Sequence, residues 1–377
     1  MDTITHGIAG ALVAKSFVPE RESRLATLAV TFGGVFPDSD GFAQFFADSR
    51  LSWLETHRGV THSFLMLPVW ALLLGCLTSL PWKGRRRWLL FSSLYGIGIA
   101  LHIGLDLITS YGTMILAPWS RDRFAWDLTF IVDLILTTIV LLPQLLAWVY
   151  STPGQAARRG WIAWISVSLL GAAAVWLAAA LQLPLSAWAV VTASGLIALL
   201  LWAPSVGGRG FRWSRAAFCR VGVATLAVYL ILCGVAHRAA LARVEEFVRS
   251  TGARVERVAA LPAPPSLSWW SGLAQTPAGI YRISFRLTDP APPSYRFFPN
   301  AQSSFYLEKS KSLADVQTFL WFARFPWVTY REENGFHVLE YTDLQFYGPR
   351  GGRANPFTFR VSLDKQGRVV SSGMLQP

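Results

Sequence analysis

His102 and Asp106 stand four residues apart within the apolar run Leu101-His-Ile-Gly-Leu-Asp106. On a helix that spacing stacks the imidazole and the carboxylate on one face. Both groups are expensive to bury in hydrocarbon, and ionisable residues inside a spanning helix are usually functional. Aimed at one point, they make half of a divalent-metal site. His6, Asp38, Asp40, His57 and His62 precede them, so four of the 6 histidines fall in the first 102 residues. Hydrolytic metal sites are built from neutral imidazoles and ionised carboxylates, with a position left for a water whose pKa the metal lowers. The candidate ligands are therefore His6, Asp38, Asp40, His57, His62, His102 and Asp106.

Each candidate has a plainer alternative. His102 and Asp106 would also serve as a hydrogen-bonded strut between helices. Asp38 and Asp40 sit in the turn Gly33-Gly-Val-Phe-Pro-Asp-Ser-Asp-Gly41, where aspartate commonly caps. His57 and His62 are five apart with Gly59 between them, so a turn rather than an unbroken helix must align them. His6 would equally cap or face solvent. Arg58, Arg121 and Arg123 are the anion-binding candidates, since guanidinium forks fit phosphate and carboxylate, and lipid headgroups as well. The catalytic candidates are Asp38 or Asp40, whichever is not a ligand, to accept a proton, and Arg121 or Arg123 to hold the anion. Asp127 is expected to open a helix and Asp133 to lie deeper in it as an outer partner of the site. No Ser-His-Asp elbow, P-loop or HExxH motif is present.

The elements that must position these residues are membrane helices. Hydrophobic residues make up 53% of the 377 and charged residues only 15%, where a soluble chain carries closer to about a quarter. The apolar residues come in long blocks, as in a polytopic membrane protein. The net charge of +12 sits beside those blocks, where it sets orientation, and no basic module accompanies it, so nucleic acid is not expected as a partner. Cys76, Cys219 and Cys233 lie in apolar stretches without a CxxC pair, so neither a disulfide framework nor a thiolate zinc site is expected. The start of the chain lacks the basic region of a signal peptide.

Two short helical runs, 4–17 and 24–36, are each below the roughly 20 residues of a spanning helix. Residues 42–56 read as an amphipathic interfacial segment. Spans are expected near 64–80, 88–108, 128–150, 161–181, 185–203 and 217–236. Basic residues at 83–87, at Arg158 and Arg159, and at Arg209, Arg212 and Arg215 place those connections in the cytoplasm, while the turn near 182–186 is uncharged. His57, His62, His102 and Asp106 then lie at the outer face. His6, Asp38 and Asp40 join them if 4–36 is an in-and-out hairpin. Arg121 and Arg123 also face outward, which marks them for a task other than topology.

After residue 237 the composition changes. An amphipathic helix at 237–251 leads to a proline-rich stretch at 261–265. Strand-like pieces follow at 281–287, 304–308, 336–341 and 357–363, with a helix at 312–325. His237 and His337 are isolated there, and Trp269, Trp270, Trp321 and Trp327 suit a core or an interfacial belt. The expected fold is mainly α: a polytopic helical membrane domain with a small extracytoplasmic β-rich α+β domain at the C-terminus. Its parts are 1–135 with the candidate site, 136–236 with additional transmembrane helices, and 237–377.

Asp2-Thr-Ile-Thr-His6, Pro37-Asp-Ser-Asp40, His57-Arg-Gly-Val-Thr-His-Ser63, the run from His102 through Asp106 and Thr109 to Gly112, and the run from Pro118 to Asp127 occur in this order. Over residues 1–135 they resemble the YdjM-like membrane-bound metal-dependent hydrolases of bacteria and archaea. That family is in turn distantly similar to the zinc-dependent phospholipase C and single-strand nuclease superfamily, whose HxxxD helices hold zinc. The resemblance implies that His6, Asp38 or Asp40, His62, His102 and Asp106 are metal ligands, with His57 as a further one. It implies zinc, with manganese as the alternative, and a plasma (inner) membrane location; the basic loops are what place the site and the C-terminal domain outside the cytoplasm. The expected function is metal-dependent hydrolysis of a phosphoester in a lipid or cell-envelope substrate. The rival is a non-enzymatic, metal-stabilised scaffold whose C-terminal domain binds an envelope partner. Transport is disfavoured because residues 161–236 contain no Asp, Glu or His.

Overall fold

The computed structural model describes residues 1–19, 23–46, 51–81, 87–152, 154–180, 186–202, 211–348 and 355–375. The basic connection at 83–86, the uncharged turn at 182–185 and Arg209 lie outside the described residues. Nine helices among them precede the sheets: α1 (Thr3–Phe17), α2 (Ser23–Val35), α3 (Ser52–Thr56), α4 (Leu67–Ser79), α5 (Arg87–Leu107), α6 (Leu134–Val149), α7 (Ala156–Ala180), α8 (Ala187–Trp202) and α9 (Arg215–Ser250). A 3-10 segment, Phe36–Phe46, follows α2, and a short one, Val60–His62, precedes α4. Among the described residues, three helices are long and apolar enough to cross a membrane: α5, α7 over Ala156–Trp176, and α9. The pair Ser52–His62 and Leu67–Ser79, bent by 72°, makes a fourth if it is one broken span.

The site end of the bundle is built on close approach. Asp2 caps α1, accepting from the Thr5 backbone at 2.9 Å and its hydroxyl at 2.8 Å, which fixes where the helix carrying His6 begins. Helices α2 and α5 touch backbone to backbone. A Cβ on Gly98 would meet the Val30 carbonyl at 2.3 Å and the Gly34 nitrogen at 2.7 Å. Small residues let membrane helices pack this tightly. One turn beyond Gly98, His102 is thereby brought against the end of α2. The buried face of α5 repeats every three or four residues, through Phe91, Leu94, Tyr95, Gly98, Ile99, His102, Leu105 and Asp106.

Helix α9 is a single rod of 36 residues, about 54 Å at 1.5 Å per residue. It is too long for the membrane alone, and its end carries the C-terminal domain. Ala240, Val244 and Val248 pack on Ala260, Trp270, Ala274 and Ile283. These belong to an antiparallel sheet of β1 (Arg257–Ala263), β2 (Trp269–Thr276), β3 (Gly279–Arg286) and β4 (Ser294–Pro299), in that order. A second antiparallel sheet holds β5 (Pro326–Glu333), β6 (Phe336–Asp343), β7 (Thr358–Leu363) and β8 (Val369–Met374). Two helices, α10 (Phe305–Lys311) and α11 (Ala314–Phe322), lie between the sheets in sequence.

Four local expectations are corrected. The amphipathic helix at 237–251 is the continuation of α9. Residues 304–308 are not a strand: Ser304 caps α10, accepting from Leu307 N at 3.2 Å. Helix α6 starts at Leu134 rather than 128, because Asp133 is its N-cap, accepting from Ile135 N and Leu136 N. Residues 42–56 are not wholly interfacial, since Leu51 and Leu54 are fully buried against α11 and the second sheet.

Candidate metal centre

Asp38, His62, His102 and Asp106 each offer one ligand atom, all within 4.8 Å of one another. The 3-10 segment after α2 delivers Asp38, the 3-10 turn before α4 delivers His62, and one face of α5 delivers the other two. His62 Nε2 lies 3.0 Å from His102 Nε2, 3.6 Å from Asp38 Oδ1 and 3.3 Å from Asp106 Oδ2. His102 Nε2 lies 3.5 Å from Asp38 Oδ1 and 3.4 Å from Asp106 Oδ2. Ligands about 2.0–2.1 Å from a tetrahedral ion would lie roughly 3.3–3.4 Å apart. Five of the six edges sit close to that value.

The surrounding hydrogen bonds set the imidazole protons. Gly34 O, 2.7 Å from His102 Nδ1, can only accept, so Nδ1 carries the proton and Nε2 presents its lone pair. The Asp40 carboxylate lies 3.3 Å from His62 Nδ1, which also meets the Thr61 hydroxyl at 3.0 Å, and its charge favours a proton on that nitrogen. With a cation in place of the proton shared between the two Nε2 atoms, two lone pairs and two carboxylate oxygens would converge, and Asp106 Oδ2 is buried without a hydrogen-bond donor. Such a group is satisfied by a cation, and the donors fit a divalent metal. Outer partners that fix ring orientation, as Gly34 and Asp40 do here, are usual around metal-bound histidines.

Asp106 Oδ1 faces the other way. It meets Arg58 Nη2 at 2.9 Å and His6 Nε2 at 3.2 Å, and it also accepts from the Met1 amino group. Arg58 is buried, in a left-handed backbone conformation (φ 59°), with Nη1 donating to Thr109 Oγ1 at 3.0 Å. That conformation lets its backbone N–H donate to Asp40 at 2.8 Å while the side chain reaches Asp106. His57 Nδ1 lies 3.0 Å from the other Asp40 oxygen. The His62, His102 and Asp106 side chains have no exposure, whereas Asp38 is 17% and His57 29% exposed. The side of the group that opens is therefore the one bearing Asp38 and His57. Burial alone would raise the Asp38 carboxyl, but the hydrogen bond to His62 and the charge of His102 hold it down at about 2. Burial opposes ionisation of Asp40 too, and His57 and His62 keep it well below the usual carboxylate range.

The family model described as YdjM inner membrane protein matches residues 1–184. Those residues, just under half of the chain, are similar to the YdjM inner membrane protein family. No curated protein and no solved structure matches the chain. The four-residue group lies wholly within the YdjM segment, which also reaches past residue 135 into α7.

The remaining expected site residues of the YdjM segment divide clearly. His6 stacks on His102 at 3.7 Å and touches Asp106, beside the four-residue group rather than in it. His57 pairs with Asp40, also outside the group. Arg121 and Arg123 are engaged at the contact with the C-terminal domain. Arg121 pairs with Glu55 at 2.7 Å and lies over Trp321, while Arg123 donates to the Tyr111 and Gly112 carbonyls and lies over Phe322. Asp127 does not open a helix; it sits in a loop (φ 54°) and pairs with Arg324. Asp133 caps α6 and accepts from Tyr229 and Ser266, both at 2.6 Å, so it ties helices to the C-terminal domain rather than supporting the metal group. Sequence reasoning gave Gly34, Thr3 and Thr109 no role of their own, although all three stand in the runs quoted above.

Proposed function

We propose that this protein is a membrane-bound, metal-dependent hydrolase acting on a phosphoester in a lipid or envelope precursor. The observation that carries the reading is the His57–Asp40 pair on the open side of the four-residue group. A divalent metal, zinc by the distant phospholipase C resemblance, held by Asp38, His62, His102 and Asp106, supplies Lewis acidity and an acidified water when bound. With Nδ1–H donated to Asp40, the His57 ring has Nε2 left to take or give a proton, and Asp40 holds its orientation. Arg58 offsets the charge of Asp106 from below. Arg121 and Arg123, with their partners in the domain contact, are not needed for this reading.

Hydrolysis of generic phosphomonoesters and phosphodiesters by detergent-purified, metal-loaded protein tests it. His57→Gln is expected to lower turnover by about 100-fold, the scale of a lost general acid–base group, with metal content unchanged. One observation favours the rival, a structural metal: four protein ligands already fill a tetrahedral shell, as in closed structural sites. Bound metal with no turnover of either ester class would move the conclusion there.

The proposed sidedness is extracytoplasmic for both the site and the C-terminal domain. It is supported by Arg87, Arg158, Arg159, Arg212 and Arg215, which flank the helix ends opposite the site. Asn300, exposed on the domain, offers a direct check. Asn300→Cys is expected to react with an impermeant maleimide in intact cells beyond the wild-type background. Reaction only after lysis would invert the assignment.

A further inference from the structure

An apolar groove of about 630 Å³ runs along α1, walled by α2 on one side and α6 on the other. Its floor is a one-turn repeat on α1, Thr3, Gly7, Ala11 and Lys15, and Leu145 stands in the α6 wall. Its two ends differ. At one, the Thr3 hydroxyl donates to Asp38, the exposed carboxylate of the metal group. At the other, Lys15 Nζ is held by Gln144 Oε1 at 2.9 Å, which closes the apolar length with a satisfied polar pair. From Thr3 to Lys15 the helix rises about 18 Å. One leaflet of a bilayer's hydrocarbon is roughly 15 Å, half of the ~30 Å core. The volume falls within the about 300–1,000 Å³ of small-ligand sites.

We propose that this groove holds one acyl chain of a membrane phospholipid and presents its phosphate to the metal group beside Asp38. The proposal rests on the hydrolase reading for what happens at the phosphate, and on the groove alone for where the chain lies. An apolar channel one leaflet long, set between helices and ending at a metal group, matches a single lipid tail. Gly7 lets α1 and α2 meet closely at the edge of the groove: a Cβ there would stand 3.2 Å from Val35 and 3.7 Å from Thr31.

The test is photolabelling of the full-length protein in phosphatidylcholine nanodiscs, using phosphatidic acid with a diazirine near the end of a palmitoyl chain. Label is expected on the α1 and α6 peptides, displaced by unlabelled phosphatidic acid. Ala11→Trp, which fills the groove away from the metal group, is expected to cut it at least tenfold with metal content intact. Leu145→Trp narrows the channel from the other wall and serves if Ala11→Trp does not yield metal-loaded protein. Equal label on the outward face of α7, at Leu169 and Leu170, or label indifferent to both variants, would overturn the groove. Localised label without any ester turnover would keep the groove and remove the hydrolase. Turnover of p-nitrophenyl phosphate with evenly spread label would do the reverse.

Discussion

Replacing His102 by alanine is expected to strip divalent metal from the purified protein. The loss should exceed the roughly 10–100-fold drop in affinity that follows removal of an outer-shell partner alone. His102 Nε2 makes three of the five short edges of the group, to His62, Asp38 and Asp106. Its Nδ1–H is also the link that fixes the end of α2, through Gly34 O. Metal analysis beside His337→Ala is the measurement. His337 stacks on Tyr306 at 3.4 Å within the C-terminal domain, so that variant should keep its metal. Asp106→Asn provides a second route that preserves volume. It removes a ligand charge and leaves Arg58 buried opposite a neutral amide, a loss of about 3–5 kcal/mol for an orphaned buried charge. Metal content unchanged in both His102→Ala and Asp106→Asn would sink the four-residue centre.

The core of that centre was legible because helical periodicity is local. His102 and Asp106 needed only the four-residue spacing, and they share the face it predicts. The spacing of His57 and His62 showed that a turn must intervene, and the turn instead divides them: His62 joins the metal group while His57 stays at its open side. Asp38 and Asp40 were interchangeable in sequence; only the 3-10 path separates them, one to the metal group and one to the two histidines. The continuity of α9 was hidden by a change in polarity at 237. Yet residues 237–250 are rich in Ala, Arg and Glu and contain no Gly or Pro, so nothing there breaks the helix. The strand expected at 304–308 and the early start of α6 both overlooked a cap, Ser304 and Asp133. Arg121 and Arg123, read from the sequence as anion-binding candidates, lie over Trp321 and Phe322 at the aromatic edge of the C-terminal domain. No local signal exists for that contact, since its two sides are some two hundred residues apart.

That separation gives the second large expected effect. Arg324 grips Asp127 through two parallel bonds, Nη1–Oδ1 at 2.8 Å and Nη2–Oδ2 at 2.9 Å, joining the segment that matches the YdjM model to the C-terminal domain. Asp127 is 7% exposed and Arg324 28%, so water screens the pair only partly. Arg324→Ala leaves a nearly buried carboxylate without its partner and is expected to destabilise docking by about 2–3 kcal/mol, below the 3–5 of a fully buried pair. The aromatic cluster of Trp53, Tyr111, Phe322 and Phe357 and the Ser266–Asp133 bond remain, so the domain should loosen rather than separate. Faster hydrogen exchange in the 107–128 and 314–322 segments, with those of α7 unchanged, is the expected reading. The double variant Arg324→Ala/Asp127→Ala should be less perturbed than Arg324→Ala, because no orphan charge is left. Simple additivity would show that the pair is not coupled. Tyr111 carries the consequence to the site: it packs on Phe322 at 5.6 Å and on His57 at 5.4 Å. A loosened domain therefore frees the ring next to the four-residue group while leaving that group in place, so under the proposed hydrolase reading turnover is expected to fall in Arg324→Ala before metal content does.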